Sequence, residues 1–270
     1  MNPPAVEGPI WLVGCGNMAG AMLRRWLATG LDPARVTVVR KSGAAVADRV
    51  TALSGAPVDT PPPALVLLGV KPQMVDLVAP WLAPLLTRET LLVSILAGVE
   101  IAALRRRFAT PHAIVRAMPN TPVAIGRGVV ALAGEAVAGD VRARVDALMA
   151  PLGLVEWLDE ALLDVVSAVS GSGPAYLFRF VDTLAAAGAD AGLDPAQAER
   201  LALATAAGAG LLAAESGESP AVLADRVTSP GGSTRRALDV LDAPDALRAL
   251  MRDAVAAAVL RNREMGEAAR

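Results

Sequence analysis

The chain has 270 residues, a formal net charge of −2, one histidine and one cysteine. The near-neutral charge gives no reason to expect nucleic acid or an anionic membrane as a partner, and a single cysteine excludes an intrachain disulfide and a cysteine-based metal cluster. Hydrophobic residues make up 54% of the chain, but the stretch between Glu7 and Arg24, which carries no charge, is too short and glycine-rich for a membrane span of about 20 residues. We therefore expect a cytoplasmic protein without a membrane segment or a metal site.

The first half of the chain alternates short β-rich runs with helical stretches. The runs that predict strands lie at 10–13, 36–39, 65–70, 91–96, 113–117, 128–132 and 154–157. A helix over 18–27 follows the first strand. This alternation predicts a doubly wound, mostly parallel sheet of the Rossmann type, with helices on both faces.

From about residue 161 the pattern becomes helical. Asp194, Pro195 and Gln197 form a helix start in which Asp194 caps and Pro195 takes the first position. Small residues on the helix that follows let helices pack closely. The apolar excess of this half predicts burial against a second subunit, with ordinary intrachain packing as the alternative.

A glycine-rich turn connects the first predicted strand to the first predicted helix. The segment 14–19 reads Gly-Cys-Gly-Asn-Met-Ala, which is the spacing of a dinucleotide-binding turn. Gly14 permits a tight turn and Gly16 lets the backbone approach a pyrophosphate. The backbone N–H groups that begin the helix, at Asn17 and Met18, would hold the phosphates. The turn therefore predicts a nicotinamide dinucleotide cofactor.

The loop after the second strand indicates which cofactor is preferred. Arg40, Lys41 and Ser42 stand where an NAD site usually has an acidic residue. Two cations and a hydroxyl suit a ribose 2′-phosphate through charge pairing and hydrogen bonds. We expect NADPH rather than NADH, although NADH stays open, and a solvated basic loop is the alternative.

Later strands end at the same predicted edge of the sheet. Val70 and Lys71 follow one strand, Ala97 follows the next, and Asn120 lies in the proline-bracketed loop 118–122. Ligands of such sheets gather at the carboxyl ends of the strands, so we expect these four residues to bind the cofactor. For the loop 118–122, simple rigidity is the alternative.

A second glycine-rich loop, 228–234, reads Thr-Ser-Pro-Gly-Gly-Ser-Thr and precedes a helical stretch. Such a loop presents free N–H groups to an anion, and this one suits a carboxylate. A Ser/Thr-capped helix start is the alternative.

Together with Gly-Ser-Gly-Pro-Ala-Tyr at 171–176, these segments resemble the motifs of the pyrroline-5-carboxylate reductase family, in the family's order. The resemblance implies an NADP-binding Rossmann domain over 1–160 and an all-α substrate and dimerisation domain over 161–270. It also implies an active site between the cofactor and the helical domain. The implied reaction is the reduction of 1-pyrroline-5-carboxylate to L-proline, the last step of proline biosynthesis, by a homodimer or an oligomer of dimers.

By match to the family's signature loop, the resemblance assigns the substrate carboxylate to Ser229, Gly231, Gly232, Ser233 and Thr234. It gives Thr234 the catalytic role of a hydrogen bond to the ring nitrogen. Solvent can protonate an imine before the reaction, so a strong general acid is not required and positioning should carry much of the rate.

Rival functions are separated by single features. A β-hydroxyacid dehydrogenase needs a lysine in its second domain, whereas the two lysines of this chain are Lys41 and Lys71. A non-catalytic NADPH-binding regulator would lack the loop 228–234. A reductase for the six-membered homologue stays open, because one methylene changes the discrimination between two substrates by only about 1–3 kcal/mol.

Overall fold

The sheet of the first half organises the fold. The structure is a computed structural model that describes residues 6–268. The strands are β1 Ile10–Val13, β2 Val36–Val39, β3 Thr51–Leu53, β4 Leu65–Leu68, β5 Leu91–Ser94, β6 Ala113–Pro119, β7 Gly128–Glu135 and β8 Gly153–Trp157. They form one sheet in the order β3-β2-β1-β4-β5-β6-β7-β8, in which only the β6–β7 pair is antiparallel. The predicted Rossmann-type sheet is confirmed.

Apolar side chains on both faces of the strands explain why the sheet lies in the core. Along β1, Leu12 packs on one face and Trp11 on the other, and both are buried. All four residues of β4 are buried, as expected for a parallel strand covered on both sides. The predicted strand 65–70 ends earlier, at Leu68, and the short edge strand β3 was not predicted because its residues are half exposed.

Helices cover both faces of this sheet and then continue alone in the second half. Their bounds are α1 Asn17–Ala28, α2 Val75–Leu82, α3 Ile101–Arg107, α4 Gly139–Met149, α5 Leu163–Val166, α6 Gly173–Asp190, α7 Pro195–Ser216, α8 Pro220–Arg226, α9 Ser233–Leu241 and α10 Leu247–Ala268. A π-helical turn, Ser167–Gly171, lies between α5 and α6. The indole Nε1 of Trp26 on α1 donates a hydrogen bond of 2.8 Å to the Leu148 carbonyl of α4.

Contacts along the chain divide it into two compact units. The sheet unit runs to Ser172 and takes up the chain again from Ala258, and the helical unit is Gly173–Ala257. The division differs from the predicted boundary at 160–161 in two respects. First, the sheet unit extends to Ser172, because Leu163 and Ala168 are buried and Leu163 packs with apolar residues of the sheet unit. Second, the end of α10 belongs to the sheet unit, where the amide of Asn262 donates a hydrogen bond of 3.0 Å to the Asp164 carbonyl.

The helical unit buries little apolar surface of its own. Among its residues, all of which the structure describes, the buried apolar side chains are Ala198 and Ala202. Large apolar side chains such as Phe178 (66% exposed) and Leu250 (65% exposed) face outward. In the described part of the chain, the stretch Glu160–Asp190 is long and apolar enough to span a membrane by length and composition alone. Of its most apolar 18 residues, 11% are buried.

Candidate cofactor and substrate sites

The glycine turn after β1 is shaped by a close approach to β4. Gly14 has a φ of +86°, and a Cβ built on it would lie 2.6 Å from the carbonyl carbon of Gly69. The position therefore requires glycine, because both the dihedral angle and the space exclude a side chain. Ala19, which replaces the third glycine of the pattern, is buried, and its Cβ would lie 3.0 Å from a Cβ built on Gly69. The small side chain of Ala19 therefore lets α1 pack closely against the end of β4.

The N-terminus of α1 is open to an anion. Gly16 precedes the helix, no side chain caps it, and its first turn contains no acidic residue. Apart from Gly16 and its two chain neighbours, no residue that the structure describes has an atom within 4 Å of a Cβ built on Gly16. The unpaired N–H groups of a first helical turn carry partial positive charge. The turn therefore has the space and the charge that a pyrophosphate needs.

The predicted cofactor residues lie at one edge of the sheet. The strands β1, β2, β4, β5 and β6 are mutually parallel, so their carboxyl ends lie at the same edge. The residues that follow these ends include Gly14, Arg40, Val70, Ala97 and Asn120. The chain reverses its strand order at β1, with β2 on one side and β4 on the other. In open α/β sheets the ligand binds at this switch point.

Arg40 brings positive charge to the glycine turn. Burial raises the pKa of the Cys15 thiol, and the charges of Arg40 and Arg24 oppose that rise. Arg40 is half buried and Lys41 is exposed. Within residues 6–268, no ion pair joins either side chain to a carboxylate. Their charges are therefore available to a phosphate.

Ala97 lies beside a cavity that sequence reasoning did not foresee. The cavity of about 600 Å³ is also lined by Pro72, Gln73 and, on α10, Glu264 and Met265. The sequence gives no local signal for this, because α10 follows Ala97 by some 150 positions.

Asn120 is buried, and its side chain already has two protein partners. Its Oδ1 accepts from the Val129 backbone N–H at 2.8 Å, and its Nδ2 donates to the Ser170 carbonyl at 2.9 Å. Lys71, which was also expected at the cofactor, is exposed at the end of β4. Both residues lie at the same edge of the sheet, but the Lys71 side chain is exposed, whereas the Asn120 amide already has two hydrogen-bond partners.

Arg116 is a buried charged residue of the sheet unit that the sequence analysis did not single out. It lies within β6, its side chain is 6% exposed, and its Nη1 donates to Glu160 Oε1 at 2.7 Å. The same oxygen accepts from the Ile101 N–H at the start of α3, also at 2.7 Å. An arginine within an otherwise apolar strand was the available signal.

The second glycine loop lies in the helical unit. Gly231 has a φ of +70°, and the Gly232 N–H donates to the Ser229 carbonyl at 3.0 Å. α9 begins at Ser233 without a side-chain cap and without an acidic residue in its first turn. The N–H groups of Ser233 and Thr234 therefore begin a helix that can receive an anion.

Arg235, in the first turn of α9, is directed along its own helix. Its guanidinium bonds Asp239 at 2.9 Å and Asp242 at 2.8 Å. Hydrogen bonds to Asp242 and Asp239 raise the pKa of Arg235 above its usual range. The anion-binding capacity of the loop thus lies in its backbone and hydroxyls.

Two family models and several known proteins match this chain. A family model described as pyrroline-5-carboxylate reductase dimerisation matches residues 160–265, and one described as NADP oxidoreductase, coenzyme F420-dependent, matches residues 9–98. The pyrroline-5-carboxylate reductase of Pseudomonas aeruginosa is 37% identical over 268 residues, covering 96% of this chain and 97% of that protein. This chain belongs to the pyrroline-5-carboxylate reductase family.

Solved structures share the fold of this chain. A pyrroline-5-carboxylate reductase from Coxiella burnetii has a TM-score of 0.85 at 33% identity, covering 95% of this chain and 98% of that one. The pyrroline carboxylate reductase of Plasmodium falciparum, solved with NADP bound, shares the fold with a TM-score of 0.84 at 24% identity, covering 97% and 99%. As a pyrroline-5-carboxylate reductase family member, the chain is an oxidoreductase with a nicotinamide cofactor, and its helical part matches the family's dimerisation domain.

Proposed function

We propose that this protein reduces 1-pyrroline-5-carboxylate to L-proline with NADPH, as the last step of proline biosynthesis. The observation that carries the proposal is that, in a chain of this family, two glycine-rich loops each lead into a helix whose N-cap is a glycine and which has no side-chain cap. One follows Gly16 in the sheet unit, and the other follows Gly232 in the helical unit. Each offers backbone N–H groups to one of the two anionic ligands that the reaction needs.

The first of these sites is proposed to hold the cofactor. Its backbone and side-chain groups come from Gly14, Gly16, Asn17, Met18, Val70, Lys71 and Ala97. Arg40 and Lys41 are proposed to pair with the 2′-phosphate, which NADH lacks. When it is bound, NADPH supplies the hydride that reduces the imine carbon.

The second site is proposed to bind the substrate. The carboxylate is held by Ser229, Gly231, Gly232, Ser233 and Thr234, through their hydroxyls and the backbone N–H groups that the loop leaves free. The Thr234 hydroxyl forms a hydrogen bond with the ring nitrogen, which solvent protonates. These groups act by orienting the imine, and orientation alone can account for a large part of an enzymatic rate.

The outward-facing apolar side chains of the helical unit support a homodimer, with a larger oligomer of dimers as an extension. A second copy would cover the surface that the chain leaves exposed, and it would account for the apolar stretch Glu160–Asp190 without a membrane. Because a second copy can cover this apolar surface without a membrane, we also propose a cytoplasmic location.

NADPH oxidation in the presence of 1-pyrroline-5-carboxylate tests the proposed function directly. We expect turnover that forms L-proline, with a lower KM for NADPH than for NADH because of the charges of Arg40 and Lys41. The six-membered cyclic imine should be run in parallel. Faster turnover of that homologue would replace the proposed substrate, and a lower KM for NADH would contradict the proposed cofactor preference.

Substitution of Thr234 tests the proposed catalytic group. Thr234→Ala should lower kcat by about tenfold to a hundredfold, because a hydrogen bond to a charged group is worth about 1.5–3 kcal/mol. NADPH affinity, measured by fluorescence titration, should stay nearly unchanged. Thr234→Ser keeps the hydroxyl and is the matched control. Unchanged turnover in Thr234→Ala would remove this residue from the mechanism.

A further inference from the structure

Two buried polar side chains at one strand contact the segment that leads into the helical unit. Among residues 6–268, the buried polar or charged residues are Thr90, Ser94, Arg116 and Asn120. Arg116 lies in β6, and Asn120 follows β6 directly. Their partners, Glu160 and Ser170, lie near the two ends of the segment 160–171.

The Asn120 amide is fitted to its position. Its Oδ1 accepts from the Val129 N–H on β7, and its Nδ2 donates to the Ser170 carbonyl. A Cβ built on Gly128 would lie 2.9 Å from the Asn120 Oδ1, so the missing side chain of Gly128 leaves room for the amide. The orientation of the amide is fixed because its oxygen faces a backbone donor and its nitrogen faces a backbone acceptor.

The acceptor of the Asn120 amide belongs to an unusual turn. Ser167–Gly171 is π-helical, and the Ser172 N–H donates to the Ser167 carbonyl at 2.9 Å. π-helical turns are rare and are frequent at functional sites. The chain leaves the sheet unit immediately afterwards, and α6 begins at Gly173 within the small-residue motif 171–176.

The other end of the segment is held in a similar way. Glu160 bonds the Arg116 guanidinium and the Ile101 N–H through one carboxylate oxygen. Between the two anchors, Leu163 and Ala168 are buried. The segment is therefore fixed by a polar contact at each end and by apolar contacts between them.

We propose that Asn120 is a positioning residue for the reaction, which fixes the π-helical turn from which α6 begins, and that its side chain does not bind the cofactor. The role in the reaction rests on the proposed function. Hydrogen bonds to Val129 and Ser170 occupy the amide oxygen and one amide N–H. A displacement of about 1 Å far from the reacting atoms can lower a rate by about 100-fold, so the place where α6 begins matters for turnover.

Asn120→Asp is the sharpest test, because it keeps the acceptor for Val129 and places a carboxylate oxygen against the Ser170 carbonyl. At neutral pH we expect kcat/KM for 1-pyrroline-5-carboxylate to fall about tenfold or more, while the Kd of NADPH changes less than about twofold. As the pH falls, the protonated carboxyl can donate to the Ser170 carbonyl. The ratio of variant to wild-type activity should therefore rise toward one.

Ser170→Ala is the matched control. It removes only the hydroxyl, which donates to the Val166 carbonyl at 2.9 Å, and it keeps the carbonyl that Asn120 binds. Its kinetics should stay close to wild type. Asn120→Ser, which is too short to reach Ser170 and carries no charge, should reproduce the kinetic loss and keeps the test decisive if the aspartate variant does not fold.

Amide hydrogen exchange separates this proposal from the proposed function. Protection of the Ser172 amide should fall in Asn120→Asp and stay unchanged in Ser170→Ala. A loss of NADPH affinity that matches the loss of kcat/KM, with unchanged exchange at 167–172, would overturn the proposal. If the wild type does not reduce 1-pyrroline-5-carboxylate, the proposed function fails, whereas exchange and NADPH affinity still decide the contact between Asn120 and the turn.

Discussion

At the scale of single residues, Gly14 and Gly16 have different reasons to be glycine. Gly14 needs its positive φ and its close approach to Gly69, whereas Gly16 has a φ of −79° and open space where a Cβ would lie. The spacing pattern identified both positions. The structural requirement at Gly14 became visible only when β4 was placed beside the turn.

Alanine substitutions distinguish these two roles. Gly14→Ala should destabilise the fold by about 1–3 kcal/mol, because a non-glycine residue is strained there and its Cβ meets backbone. It should also weaken NADPH binding. Gly16→Ala should leave the melting temperature nearly unchanged and weaken NADPH binding alone. Thermal unfolding and NADPH titration check both, and unaltered affinity in Gly16→Ala would show that the pyrophosphate does not approach this backbone.

At the scale of elements, the sequence predicted the helix starts and strands that depend on neighbouring residues. The capping side chain of Asp194 accepts from the Gln197 N–H at 3.0 Å, and α7 begins at Pro195 as predicted. Strands that are apolar throughout, such as β4, were predicted because burial on both faces leaves a continuous run. The π-helical turn at Ser167–Gly171 was not predicted, because one extra residue in a single turn does not visibly change the helical periodicity of the sequence.

At the scale of the whole molecule, the helical unit lacks a sufficient core of its own. α6 presents Phe178 with 66% of its surface exposed. Such a surface is unusual for a monomer and typical of an interface between subunits. The match of residues 160–265 to the dimerisation domain agrees with this interpretation.

Phe178→Glu should therefore shift the protein from dimer to monomer. Burying a phenylalanine contributes about 1.5–3 kcal/mol, and a charge in its place adds the cost of desolvation, so the dimer Kd should rise at least about 100-fold. Sedimentation measures the mass. The control is Val58→Glu, at a residue of the sheet unit that is 69% exposed, which should keep the dimer. A wild type that sediments as a monomer at micromolar concentration would contradict the proposed homodimer.

The sequence by itself determined the features that neighbouring residues control. These are the glycine turn at 14–19, the alternation of strands and helices, and the cap at Asp194. Each depends on dihedral preferences or periodicity within a few residues, and therefore each is visible in a short window of sequence.

Only the tertiary structure decided which distant residues meet. Asn120 bonds Ser170 across 50 positions, and Arg116 bonds Glu160 across 44. The final turns of α10 belong to the sheet unit, where a Cβ on Gly98 would lie 2.9 Å from the Cα of Gly266. Such contacts depend on how whole elements pack, because buried polar groups find their partners only after the strands and helices around them are in place.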